Sequence, residues 1–152
     1  MATTGRHAGK AYWVVVADEA NATIYSREAR TGPLQAWLTI DNTEGRKRTG
    51  DLIADRGGRS FDSVGQGRHT MAREKSSPKT QVAERFARQV AGHIGRLIHD
   101  GHCRGYVLVA PPRFLGQLRD AMAKISDVEP DKTIDKELVG RSVLELQEYI
   151  DN

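Results

Sequence analysis

Residues 105–110 read GYVLVA, and Pro111 and Pro112 follow directly. From Tyr106 to Ala110 every side chain is apolar or aromatic, with no polar residue in alternation. A strand covered on both faces reads this way, and parallel sheets are covered on both faces. The prolines stop it. Beyond them, residues 113–125 place Phe114, Leu115, Leu118, Ala121, Met122 and Ile125 on one helical stripe. Before it, Ser77-Pro78 is a helix start, an N-cap serine with proline at the first helical position. Over residues 79–99, Val82, Phe86, Val90, Ile94, Leu97 and Ile98 repeat at helical spacing, with Arg85, Arg88 and Arg96 off the stripe. Asp100-Gly101 closes that helix. A covered strand between two amphipathic helices implies parallel crossover units.

The N-terminal third differs. Residues 12–17, YWVVVA, form another covered strand. Asp18-Glu19-Ala20-Asn21 is turn chemistry. Residues 22–27 alternate, with Ala22, Ile24 and Ser26 opposed to Thr23, Tyr25 and Arg27. After Thr31-Gly32-Pro33, residues 34–40 set Leu34, Ala36, Leu38 and Ile40 on one face. These three strands form an antiparallel meander. Toward the C-terminus, residues 127–134 give a poorer strand, broken by Glu129-Pro130 and therefore placed at an edge. Residues 138–150 give a third helix, with Val139, Val143, Leu146 and Ile150 in register. The expected fold is a single α/β domain over residues 12–152, after a flexible tail over 1–11. Its mixed five-stranded sheet has three antiparallel strands, then parallel βαβ units, with helices on the faces. That order matches a ribonuclease-H-like topology.

The totals exclude several classes. The chain has 152 residues, enough for one domain with a real core. No apolar run approaches the roughly 20 residues of a membrane helix. The run at 11–17 is followed by Asp18-Glu19 and by no small-residue cleavage site, so a cytoplasmic protein is expected. Cys103 is the only cysteine, which excludes an internal disulfide and a multi-cysteine metal site. Its expected role is that of a small, partly buried residue.

Residues 44–78 connect the meander to the first helix. This stretch of about 35 residues is far longer than the usual connection of roughly 4–6. Between Glu44 and Lys75 eight basic residues face five acidic ones, an excess of three that equals the net +3 of the whole chain. Arg46, Lys47 and Arg48 form a run, followed by Arg56, Gly57, Gly58 and Arg59, then Gly65, Gln66, Gly67, Arg68 and His69. Glycine-rich backbone can cradle phosphate, and Arg59, Arg68 and His69 suit phosphate or sugar oxygens. Arg113, at the start of the second helix, is a further candidate for nucleic-acid contact. A solvated basic loop without a fixed partner remains the competing reading. No Gly-Lys-Ser/Thr follows the glycines, which excludes a Walker A loop, and their position excludes a Rossmann fingerprint.

Other chemistry is poorly specified. Asp18 ends the first strand, where a two-metal nuclease places an aspartate, with Asp41, Asp55 and Asp62 as possible companions. Aspartate in a tight turn also has a local hydrogen-bonding reason. His93, His99 and His102 cluster in sequence, but the last two straddle a helix end, where histidine suits the dipole. No nucleophile elbow is present. Trp13 and Trp37 read as core or sheet-face residues. No metal or other cofactor is expected.

Four segments together carry a resemblance: WVVVADEANATIYSRE, DLIADRGGRSFDSVGQGRH, PKTQVAERFARQVAGHI and YVLVAPPRFLGQLR. They resemble the bacterial host attachment protein family, "protein required for attachment to host cells", over nearly the whole chain. The resemblance implies kinship with domains that look like the middle domain of the class-one release factor. There a Gly-Gly-Gln loop after the third strand promotes hydrolysis of peptidyl-tRNA. By position it implies Gly65 and Gln66, with Gly57-Gly58 upstream. Val64 stands before Gly65, so the motif here is Val-Gly-Gln-Gly. The implied function is binding of ribosome or tRNA through the basic loop. Hydrolysis of peptidyl-tRNA or an ester, with Gln66 positioning water, is the enzymatic alternative. A protein-interaction module with an unidentified protein partner is the third. No membrane association is expected, and any effect on attachment is indirect.

Overall fold

A computed structural model describes residues 10–42 and 77–151. Their elements are β1 (Ala11–Ala17), β2 (Asn21–Arg27), β3 (Gln35–Asp41), α1 (Pro78–His99), β4 (Cys103–Val109), α2 (Pro112–Ile125), β5 (Lys132–Ile134) and α3 (Val143–Asp151). The strands form one open sheet in the order β3-β2-β1-β4-β5. β2 is antiparallel to both β1 and β3, while β4 is parallel to β1 and to β5. This is the expected single-domain α/β architecture, with a mixed five-stranded sheet and three helices.

The two covered strands lie in the interior of the sheet, as their lack of alternation requires. Trp13, Val15 and Ala17 of β1 and Tyr106 and Leu108 of β4 share one core with α1 and α2. Val14, Val16, Val107 and Val109 point the other way and pack with Leu138, Leu146 and Ile150. Each fully buried side chain of this size contributes roughly 1.5–3 kcal/mol, so neither face tolerates exposure. Between α1 and α2, Phe86 stacks on Phe114 at 6.0 Å.

The ends of α1 follow the sequence signals. Ser77 caps it by accepting from the Thr80 N–H at 3.1 Å. Gly101, at φ +80°, donates to Ile98 O while the His102 N–H donates to Leu97 O, a Schellman ending. The His102 carbonyl is then taken by the Ala11 N–H at 2.9 Å and the Trp13 indole N–H at 3.0 Å. A helix end and a strand start are thereby fastened at one atom. Trp13 also meets Trp37 edge-on, with centroids 5.0 Å apart.

Four expectations need correction. Ala11 is no part of a tail; it is buried and opens β1. Leu34 and Ile40 do not share a face: Ile40 lies in the α1/α2 core, Leu34 in the α3 core. The cause is a bulge, because Ile24 pairs with Leu38 but Tyr25 pairs with Ala36, leaving Trp37 as the extra residue. The third helix begins at Val143, not at residue 138. Gly140 adopts φ +91°, and Ser142 and Glu145 form a reciprocal capping box that starts the helix there. Leu138 is buried all the same, from the segment before the helix. Ile125 closes the α2 stripe but is 50 % exposed.

Candidate functional site at the carboxyl edge of the sheet

In open α/β sheets, ligands bind outside the carboxyl ends of parallel strands, where the connections diverge to opposite sides. Here that point lies between β1, which leads to β2, and β4, which leads through α2 to β5. A cleft of about 340 Å³ occupies it. Asp18 and Glu19 from the turn after β1 line one side, Pro111, Arg113 and Phe114 from the start of α2 the other, and Glu137 the third.

Local chemistry places each group. Asp18 Oδ1 accepts from the N–H groups of Ala20 and Asn21, both at 2.8 Å, so the turn aspartate does have its local bonding role. Asn42, just past β3, is buried and braces this turn. Its N–H donates to Ala20 O and its side-chain amide to Glu19 O, both at 2.9 Å. Pro111 and Pro112 start α2 without a side-chain cap. Arg113 therefore projects from a first turn that holds no acidic residue.

Burial raises the Glu137 carboxyl, and the hydrogen bond with Asp18 and the charges of Asp18 and Glu19 raise it further. A carboxyl of raised proton affinity beside a second carboxyl is placed to exchange a proton. Three acidic side chains against one guanidinium also favour hydrogen-bond donors or cations over phosphate. Arg113 alone supplies a phosphate-binding group.

Of the residues singled out in the sequence, Asp18 and Arg113 are brought to this cleft. Gln66, Arg46, Lys47, Arg48, Arg56, Gly57, Gly58, Arg59, Gly65, Gly67, Arg68 and His69 lie outside the described residues. So do Asp55 and Asp62. Asp41 ends β3, two strands from β1, and does not line the cleft. The companion of Asp18 is instead Glu137, which sequence reasoning missed. Its only signal is its place three residues after a parallel strand, which has meaning once the strand order is known. Among the described residues no group of three or more His, Cys, Asp or Glu side chains is arranged to hold a metal ion. Nor is any described helix long and apolar enough to cross a membrane. Cys103 is half-buried, and burial pushes its thiol up, away from a reactive thiolate.

No curated protein matches the sequence. The family described as "protein required for attachment to host cells" matches residues 13–150, and the chain belongs to that family.

Proposed function

We propose that this chain is a cytoplasmic, release-factor-like binding module that engages ribosome or tRNA through the basic segment at 44–78, with an indirect role in attachment. The observation that carries the reading is where the described flanks of that segment stand. Asn42 is bound to the turn after β1. Ser77 caps α1, whose Phe86 stacks on Phe114 in the first turn of α2. Both flanks thus belong to the carboxyl edge that also carries Arg113. The sequence between these two flanks carries eight basic residues over positions 44–75. The strand order, with β2 alone antiparallel to its neighbours, supports a ribonuclease-H-like sheet of the release-factor kind.

Phosphate-led binding is strongest at low salt and falls steeply as salt rises. The protein is expected to co-sediment with ribosomes at about 50 mM salt and to dissociate by about 200 mM. Replacing Arg46, Lys47 and Arg48 together by alanine weakens the association and flattens its salt dependence. Absence of co-sedimentation at the lower salt overturns the proposal. So does capture of protein partners that survives nuclease treatment with no RNA present, which favours the protein-interaction alternative.

A second reading, hydrolysis of peptidyl-tRNA or an ester with Gln66 placing water, is favoured by the Asp18–Glu137 carboxyl pair at the same edge. It requires that Gln66→Ala lower the rate of peptide release from peptidyl-tRNA. Equal rates for variant and wild type exclude it.

A further inference from the structure

At the opposite edge of the sheet, a second cavity of about 280 Å³ opens between the starts of β1 and β4 and the ends of β2 and α3. Its inner wall is apolar, formed by Tyr12, Val14, Val107 and Ile150. Its rim is charged. Arg27 is 6 % exposed and donates to Asp151 Oδ1 at 2.8 Å, yet its Nε–H is buried with no partner. Arg30 donates to Asp131 at 3.0 Å and lies 5.1 Å over the Tyr12 ring. Lys132 Nζ donates to Ile150 O at 2.6 Å, which leaves two of its three ammonium donors unspent.

Three cations thus face two carboxylates. The two arginines hold the two aspartates, and Lys132 is the cation without a carboxylate partner among the cavity residues. The surplus is one positive charge above an apolar floor. We propose that this cavity binds a small organic monoanion, a carboxylate on an apolar or aromatic body. The carboxylate meets Lys132, and the body lies against Val14, Val107 and the Tyr12 ring. A phosphate dianion fits worse, since one surplus charge does not offset two and both aspartates repel it. The site is separate from the carboxyl-edge cleft and does not depend on the function proposed for that cleft.

Benzoate is a suitable probe, and benzamide is its neutral counterpart of nearly equal shape. Titration of the whole protein, followed by calorimetry and by the backbone N–H resonances of Val14 and Val107, is expected to show benzoate binding in the millimolar range. Benzamide is expected to bind roughly tenfold more weakly or worse, a gap of one decade in affinity. Lys132→Met keeps a four-atom apolar stem and removes the ammonium charge. It is expected to bring benzoate down to the benzamide level with an unchanged circular dichroism spectrum. Failure of benzoate to bind by about 10 mM, or equal affinity for the two probes on the wild type, overturns the proposal whether or not the variant folds.

Discussion

Arg27 Nη1 stands 2.8 Å from Asp151 Oδ1, joining the last residue of β2 to the last turn of α3. The Arg27 side chain is 4 % exposed, and that of Asp151 25 %. Such a pair contributes little over a well-packed apolar substitute, yet loss of one partner strands a buried charge. Asp151→Ala is expected to cost about 2–3 kcal/mol, below the figure for a fully buried pair because Asp151 is partly wet. Arg27→Met combined with Asp151→Ala is expected to be more stable than Asp151→Ala alone. Urea unfolding of wild type and the two variants checks the order, and equal loss in the single and double variants refutes it.

Tyr106 is buried and donates its hydroxyl to Val128 O at 2.7 Å. Burial chiefly, then the charges of Cys103, Glu129 and Asp131, push its phenol up from 10.0 to about 12. The folded state therefore holds this proton more tightly than the unfolded chain does. Its stabilising effect is whole below about pH 10 and is lost as pH rises toward about 12. Ultraviolet titration is expected to show a tyrosine ionising near pH 12 that is missing in Tyr106→Phe. The same substitution removes the hydrogen bond, at a cost of about 1 kcal/mol near neutral pH.

Glu137 is raised for a different mixture of reasons, burial followed by the company of Asp18 and Glu19. A raised carboxyl stabilises the fold below its unfolded value of 4.5 and loses that effect as pH rises through its folded value. Glu137→Gln keeps the shape while removing a like charge beside Asp18 and Glu19. Its melting temperature is expected to exceed that of wild type at pH 7, with the advantage shrinking toward pH 4. A lower melting temperature at pH 7 contradicts the like-charge account.

Two glycines predict opposite signs. Gly92 lies inside α1, and a methyl group there meets nothing within 4 Å. Gly92→Ala is expected to stabilise by about 0.5–1 kcal/mol through the unfolded chain. Gly105 is buried in β4, and a methyl group there runs into the Asp131 carboxylate. That carboxylate is held by Arg30. Gly105→Ala is expected to destabilise by about 1–2 kcal/mol. Thermal unfolding of both variants provides the test, and a stable Gly105→Ala protein means that Asp131 swings away freely.

Much of the fold is legible in the chain because its signals are local. YWVVVA and GYVLVA announce strands with no wet face, and these are adjacent interior strands of the sheet. Ser77-Pro78 and Asp100-Gly101 bound α1 through hydrogen bonds made within a few residues. The α3 boundary was legible in principle, since Ser142 and Glu145 stand at capping-box spacing. The apolar register of Val139 with Val143 masked it, and Val139 packs against the core from outside the helix. The bulge at Trp37 had no local signature. Alternation assumes an unbroken ladder, and the extra residue shows only in the pairing of β2 with β3. The candidate site was less legible still. Arg113 and Asp18 were singled out separately, but their meeting, and Glu137 beside them, show only in the fold.

Sequence alone determined the class of each element, which strands are covered, and that positive charge is concentrated between β3 and α1. Apolar spacing and capping are short-range properties, and composition needs no geometry. Tertiary structure decided which distant residues meet: Asp18 with Glu137, Arg27 with Asp151, and Lys132 with the end of α3. Strand order governs those meetings, and strand order follows from burying both faces of one sheet at once. No window of sequence contains that condition.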